Sequence, residues 1–298
     1  MSEELDELDR LFTSKNVEDV IKFYDHFDTV EQLIEWMKNR PSAPMKIYEV
    51  EGEKDIVVVI PTANHEGELA KNCANNIFKG QQIVFVESNG PFFNYARSCN
   101  FGLKYALKYN PKWIILSNDD VYRTDGITEL INKIEKVDSE KYEVIWINSS
   151  FYHSNKVSLC LPAVFLGAYY KLDKFKNKRY SLYKKFSANI FVRNLNGYFG
   201  LRVLFKPLVK FDSIGDFSIF NADLIRKKEK IFDKNFINSD EDIYLSYLLF
   251  KEKIHTARIT FNVESYAGKS LGMNRARDAR GIINDIYLNS LIKSDFNT

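Results

Sequence analysis

IVVVIPTANHE, residues 56–66, sets five consecutive β-branched residues ahead of a proline and a polar tail. A continuous run of this kind lacks the apolar–polar alternation of a half-solvated strand, so it reads as a strand buried on both faces. Three further runs share the texture: IVFVES (83–88), WIILSN (113–118) and YEVIWIN (142–148). Helical patterns lie between them. In GPFFNYARSCNFGLKYALKYN (90–110), Pro91 suits a first helical position. Phe92, Ala96, Cys99, Leu103 and Ala106 then recur on one face. This alternation predicts an α/β fold with a Rossmann-like, mostly parallel central sheet flanked by helices. Ligands of such open sheets meet the carboxyl ends of the strands. Pro61-Thr62, Glu87-Ser88 and Asn118–Asp120 are therefore expected along one rim.

Around this centre the chain has 298 residues, 45% apolar and 28% charged, within the ordinary range of a globular protein. A formal net charge of +2 gives no reason to expect a nucleic-acid partner. No apolar run approaches the roughly 20 residues needed to span a bilayer. The start, MSEELDELDRLF, is acidic where a signal peptide would be basic and then apolar. The expected location is cytoplasmic, with peripheral membrane contact open. Cys73, Cys99 and Cys160 are widely spaced and odd in number, which predicts core thiols.

Residues 1–50 read as a helical extension. Val17, Val20, Ile21, Tyr24 and Phe27 form one apolar face, and Val30, Leu33, Ile34 and Met37 another. Pro41 and Pro44 end the pattern. The main unit runs over 51–270, and 271–298 forms a C-terminal tail with a helix at NDIYLNSLI. Within 164–210, Phe165, Tyr169, Tyr170, Phe175, Tyr180, Tyr183 and Phe186 are interleaved with lysines and arginines, and Asp173 is the only acid. Three readings stay open: a folded subdomain with aromatics in its core, a surface lying on an anionic membrane, or a stacking platform for bases. The first is preferred.

Two stretches could carry chemistry. In ILSNDDV (115–121), Asp119 and Asp120 end a buried strand. They either cap a turn or hold a hard divalent cation that shares its remaining sites with substrate phosphates. In NSDEDIYLSYLL (238–249), Ser239 is a candidate N-cap and Asp242 its capping-box partner. Alternatively, one acid is a general base. Arg275, Arg277 and Arg280 in MNRARDARG either form a solvated basic helix or close over an anion. His65 reads as a loop histidine, and His153 and His255 as structural.

Taken in order, these stretches resemble the inverting family 2 glycosyltransferases of the GT-A fold, in particular the rhamnosyltransferase-like branch. Pro61, Thr62 and Asn64 match its P-T-x-N opening. Glu87, with Asn89 in the same ESNG tail, resembles the second strand's nucleotide-facing end. Arg97 and Gly102 match A-R-N-x-G, and Asn118-Asp119-Asp120 resembles the variant metal motif L-N-N-D-V. GDFSIFNADLIRK, FDKNF and Glu241-Asp242 resemble the Gly-containing loop, F-D-E-x-F and E-D-x-D-L-S. The resemblance spans roughly 54–270 and implies a nucleotide-binding half (54–150) and an acceptor-side half (151–270).

The chain departs from the pattern at three points. Asn118 stands where D-x-D has its first acid. VESYAGKS offers Glu264, Ser265 or Tyr266 and no histidine, so either Glu264 takes that place or the cation is held mainly by Asp120 and the diphosphate. Tyr244 replaces the last acid of E-D-x-D-L. The resemblance implies a Mn²⁺- or Mg²⁺-dependent enzyme with Asp120 and Glu264 at the metal. Pro61, Thr62, Asn64, Glu87, Asn89, Arg97, Asn118 and Asp119 would be at the donor, and Arg275 and Arg277 at the diphosphate. Asp242, or Glu241, would be the base. The donor would be a UDP-, GDP- or dTDP-sugar, and the hydroxyl acceptor a glycan, lipid-linked or protein-linked group. Homo-oligomerisation is left open. A sugar nucleotidyltransferase lacks support because the loop after the first strand is not Gly-rich. A catalytically silent nucleotide-sugar-binding module remains the alternative.

Overall fold

The computed structural model describes residues 6–149, 155–162, 170–194, 205–215, 217–266 and 274–296. His153, Phe165 and Tyr169 lie outside the described residues.

Three short helices open the chain: α1 (Glu7–Thr13), α2 (Val17–Phe23) and α3 (Val30–Asn39). Each has a side-chain cap, from Asp6, Asn16 and Thr29, and Thr29 and Gln32 complete a capping box at α3. The predicted apolar faces are present with a shift. A 3₁₀ turn over Tyr24–His26 rotates the pattern, so Phe23 is buried alongside Val20, Tyr24 and Phe27.

The α/β unit follows: β1 (Lys46–Val50), β2 (Glu53–Thr62), α4 (Glu68–Asn72), β3 (Gln81–Glu87), α5 (Tyr95–Ala106), β4 (Trp113–Leu116), β5 (Val121–Thr124), α6 (Ile127–Glu135) and β6 (Val144–Asn148). Then come β7 (Asn155–Pro162), α7 (Lys174–Lys185), β8 (Phe191–Asn194), β9 (Phe205–Ser213), β10 (Ser218–Asn221) and α8 (Ala222–Lys227). The last elements are α9 (Glu241–Lys251), β11 (Thr256–Thr260), β12 (Val263–Ser265) and α10 (Arg275–Ile292).

Seven strands form one sheet in the order β1-β3-β2-β4-β10-β6-β11. β2 runs parallel to β3 and β4, and β6 parallel to β11. β1 and β10 run antiparallel to their neighbours. The sheet is thus mixed, with β2, β3, β4, β6 and β11 sharing one direction. Strand β2 explains why its run has no polar alternation. Ile56, Val58 and Ile60 face one core, with Leu130 and Ile134 of α6. Val57 and Val59 face the other, with Ala96, Cys99 and Leu103 of α5. Helix α5 lies so close that a Cβ on Gly102 would come within 2.4 Å of Val59 Cγ1.

Helix α5 begins at Tyr95, not at Pro91. Asn94 caps it by accepting from Arg97 N at 2.8 Å, a stronger start signal than proline's fixed φ. Gly90, at φ 92°, instead turns the chain ahead of the helix. The stretch expected as a tail is part of the core. Ala276, Ala279, Ile282, Ile283 and Ile286 of α10 are buried with Val20, Phe23 and Leu33 of the N-terminal helices. Tyr24 Oη donates to Ala279 O at 2.7 Å across this packing. Each large side chain so buried contributes roughly 1.5–3 kcal/mol.

In the aromatic-basic region, β7, β8 and β9 form an antiparallel sheet. Leu182, Tyr183 and Phe186 join the same core as α10, as expected for a folded subdomain. Asp173, the only acid there, caps α7 by accepting from Lys176 N at 3.0 Å. All three cysteines are buried thiols outside any disulfide. Among the described residues, no helix is long and apolar enough to cross a membrane.

Candidate functional site at the strand ends

The carboxyl ends of β2, β3 and β4 form one rim, as the parallel pairing requires. Thr62, the last residue of β2, is opposite Glu87 in the register, and Ser88 N donates to Thr62 O at 3.0 Å. The Thr62 hydroxyl crosses to the next strand end and donates to Asp119 Oδ2 at 2.7 Å. It also accepts from Asn64 N at 3.2 Å, so Asn64 folds back over the rim. Asn64 Oδ1 accepts from Glu66 N, and Asn89 Nδ2 donates to Ala63 O at 3.2 Å. Pro61 lies in the buried part of β2, which runs on through Thr62.

Glu87 is held by one loop residue twice: His65 N at 3.0 Å and His65 Nδ1 at 2.6 Å both reach Oε2. These bonds hold the Glu87 carboxyl below its usual range. The His65 ring stacks on Tyr48 of β1, with centroids 3.4 Å apart and planes 9° apart. His65, expected as a loop histidine, therefore has two specific partners, Glu87 and Tyr48. Tyr48 was not foreseen, because β1 is a short edge strand of mixed polarity whose pairing with β3 has no local signature.

The Asn118–Asp120 turn is buttressed from both sides. Tyr95 Oη, at the start of α5, donates to Asn118 Oδ1 at 2.7 Å. From the π-helical turn after α4, Cys73 Sγ donates to Asp119 O at 3.3 Å. Burial, reinforced by the charges of Asp119 and Asp120, pushes the Cys73 thiol up to about 12. Burial likewise raises Asp119 above the usual carboxylate range, against the lowering effect of the Thr62 bond. Asp120 is only 5% exposed. Its carbonyl accepts from Tyr266 N at 3.0 Å, which ties the turn to the segment after β12.

Other predicted residues are directed elsewhere. Glu264 pairs in register with Arg123 on the β5–β12 ribbon, where Tyr122 Oη reaches Oε2 at 2.8 Å and Arg123 Nη1 reaches Oε1 at 3.5 Å. Arg97 Nη2 donates to Arg40 O at 3.4 Å, toward the N-terminal helices. Arg275 is exposed near Asp173, and Arg277 lies one turn before Arg280 on α10. Among the described residues, no group of three or more His, Cys, Asp and Glu side chains is arranged to hold a metal.

Glu241 and Asp242 open α9, Glu241 only 6% exposed and Asp242 half-buried. The N-cap is Asp240, in the left-handed region at φ 66°, and its side chain makes no cap bond. The expected Ser239–Asp242 capping box does not form, because the left-handed turn starts the helix one residue later. This helix start is tied to the rim through Asn238. Its Oδ1 accepts from Tyr95 N at 2.8 Å, and Tyr95 in turn holds Asn118. Tyr95 and Asn238 are the positioning residues that sequence spacing missed.

Chemically, the rim offers two adjacent carboxylates of different exposure, a hydroxyl, amides, and a glutamate–histidine–tyrosine wall. Two carboxylates suit a hard cation that takes one or two protein oxygens and completes its shell with water and phosphate. No family model matches the chain, and no curated protein does.

Proposed function

We propose that this chain is an inverting glycosyltransferase of the GT-A type, using a nucleoside-diphosphate-sugar donor, a hydroxyl acceptor and a divalent cation. The observation that carries the reading is the convergence at the rim. Thr62 on β2 is bonded to Asp119 after β4, beside the buried Asp120. The sheet, with five codirectional strands and a reversed β10 between β4 and β6, is compatible with a GT-A core.

In this reading Asp119 and Asp120 hold the cation, which when bound neutralises charge on the diphosphate leaving group. The Tyr48–His65–Glu87 wall borders the nucleoside. The acceptor oxygen attacks the anomeric carbon, its proton passes to Asp242, and the anomeric C–O bond to the diphosphate breaks. The positive end of α9 favours the ionised form of a first-turn base. One carboxylate suffices, since no covalent intermediate forms.

A second reading, donor binding without turnover, has one observation in its favour. The Asn118 side chain, at the first position of the metal motif, accepts from Tyr95 and so serves the turn. Release of nucleoside diphosphate from a panel of donor sugars separates the two. Asp242→Asn is expected to lower kcat by about 10²- to 10⁴-fold with KM little changed. Donor binding with no turnover in the wild type would favour the binding module.

A further inference from the structure

A pocket of about 500 Å³ lies between the N-terminal helices and the start of α10, and the proposed reaction does not use it. It shares no lining residue with the Thr62–Glu87–Asp119–Asp120 rim. Lys15, Arg40, Arg179, Arg277 and Arg280 line it from four separate segments, facing Asp240, Asp278 and Asp285. Gathering five cations costs free energy unless their repulsion is offset. Arg40 and Arg179 meet counter-charges in the fold: Arg40 Nε meets Asp9 Oδ1 at 3.0 Å, and Arg179 Nη2 meets Asp285 Oδ2 at 2.9 Å. Arg280 Nη1 donates instead to a neutral acceptor, Ser14 O, at 2.9 Å.

The remaining electrostatics point the same way. Burial and then the neighbouring Arg277 charge hold the Arg280 guanidinium below its usual range. Burial and the charges of Asp285, Asp242 and Glu241 push Asp240 well above the usual carboxylate range. The starts of α9 and α10, through Asp240 and Asn274, both open on the pocket with the positive ends of their helix dipoles. Guanidinium forks match the oxygens of a phosphoryl group in geometry as well as charge. The volume exceeds that of a bare phosphate and lies within the range of small-molecule sites.

We propose that this pocket is a second anion site, which binds the phosphoryl group of a phosphorylated ligand. Asp240 on its wall is two residues from Asp242, so the ligand would approach the base from the acceptor side. That it is the acceptor rests on the glycosyltransferase reading; the anion site itself does not.

Titration calorimetry of the full chain with inorganic phosphate, at constant ionic strength balanced by chloride, tests it. Wild type is expected to bind one phosphate. Arg277→Gln and Arg280→Gln should weaken binding about tenfold, as for one lost hydrogen bond to a charged group. Because Arg280 also holds Ser14, the exposed Lys15→Gln provides a variant without a structural bond to lose and should weaken binding by a smaller factor. Asp120→Ala should leave phosphate affinity unchanged. sn-Glycerol 3-phosphate and phosphatidic acid vesicles then distinguish a soluble from a lipid-borne phosphomonoester. No phosphate binding beyond chloride, affinity untouched by all three pocket variants, or affinity lost in Asp120→Ala would each overturn the proposal. Phosphate binding without nucleoside-diphosphate binding would keep this site and remove the glycosyltransferase reading; the reverse would remove this site alone.

Discussion

The hydroxyl of Thr62 and the carboxylate of Asp119 meet at 2.7 Å across 57 residues of sequence. This bond joins the ends of two parallel strands and satisfies a carboxylate that burial pushes toward neutrality. Thr62→Val keeps the β-branched shape and removes the donor, which leaves Asp119 Oδ2 without that bond at a cost of about 1–3 kcal/mol. Manganese-dependent nucleotide binding should weaken roughly tenfold, whereas Thr62→Ser should restore most of it. Equal affinities in all three proteins would remove Thr62 from the site.

Gly102 lies where α5 crosses β2 and β3. A Cβ there would meet Val59 Cγ1 at 2.4 Å and Val86 Cγ2 at 2.7 Å, both on buried strands. Gly102→Ala should destabilise the fold by about 1–3 kcal/mol in urea unfolding, the range for overpacking. A Cβ added at Gly281 of α10 would meet nothing within 4 Å beyond its chain neighbours and its own helix backbone. Gly281→Ala should therefore stabilise by about 0.5–1 kcal/mol through helix propensity alone. Opposite signs for the two glycines are the expected result.

Arg40 pairs with Asp9, both nearly buried, at 3.0 Å, and donates from Nη2 to Pro91 O at 2.6 Å. It fastens the N-terminal helices to the loop after β3. Arg40→Leu leaves Asp9 buried without its counter-charge, which should cost about 3–5 kcal/mol. The double variant Asp9→Leu/Arg40→Met should recover part of the loss. No recovery would mean that the Pro91 bond, and not the ion pair, dominates.

Stability should also report the state of Asp240. Its folded value lies well above the ordinary 3.8, so the folded chain keeps a proton that the unfolded chain has lost. The contribution is therefore most favourable below 3.8 and declines as pH rises from there through the folded value. Asp240→Asn should flatten this part of the stability–pH curve. An unchanged slope would contradict the burial and charge repulsion assigned to this side chain.

How far the sequence carries follows from which signals are local. The runs at 56–61, 83–88, 113–118 and 142–148 appear as β2, β3, β4 and β6, because a strand buried on both faces shows itself in composition. The meeting of Thr62 with Asp119 was legible too, since parallel strands bring their carboxyl ends to one rim. Edge strand β1, with mixed exposure, has no such signature, and Tyr48 was missed with it. The apolar, buried β10 reads as a strand followed by a helix, but its reversed direction in the sheet leaves no local mark. The left-handed Asp240 replaced an expected serine cap, because a side-chain pattern does not reveal a positive φ. Helix α10 reads as a basic tail at its start. Its buried face emerges only when the N-terminal helices supply the other half of the core.

Asp119 and Asp120 are proposed to hold a cation that binds a nucleoside diphosphate. Titration calorimetry with UDP, GDP and dTDP, with and without manganese, on wild type and Asp120→Ala tests this role. Manganese-dependent binding of one nucleotide in the wild type, lost in the variant, is the expected result. Binding indifferent to both manganese and the substitution would make these acids turn formers and rule out the cation site.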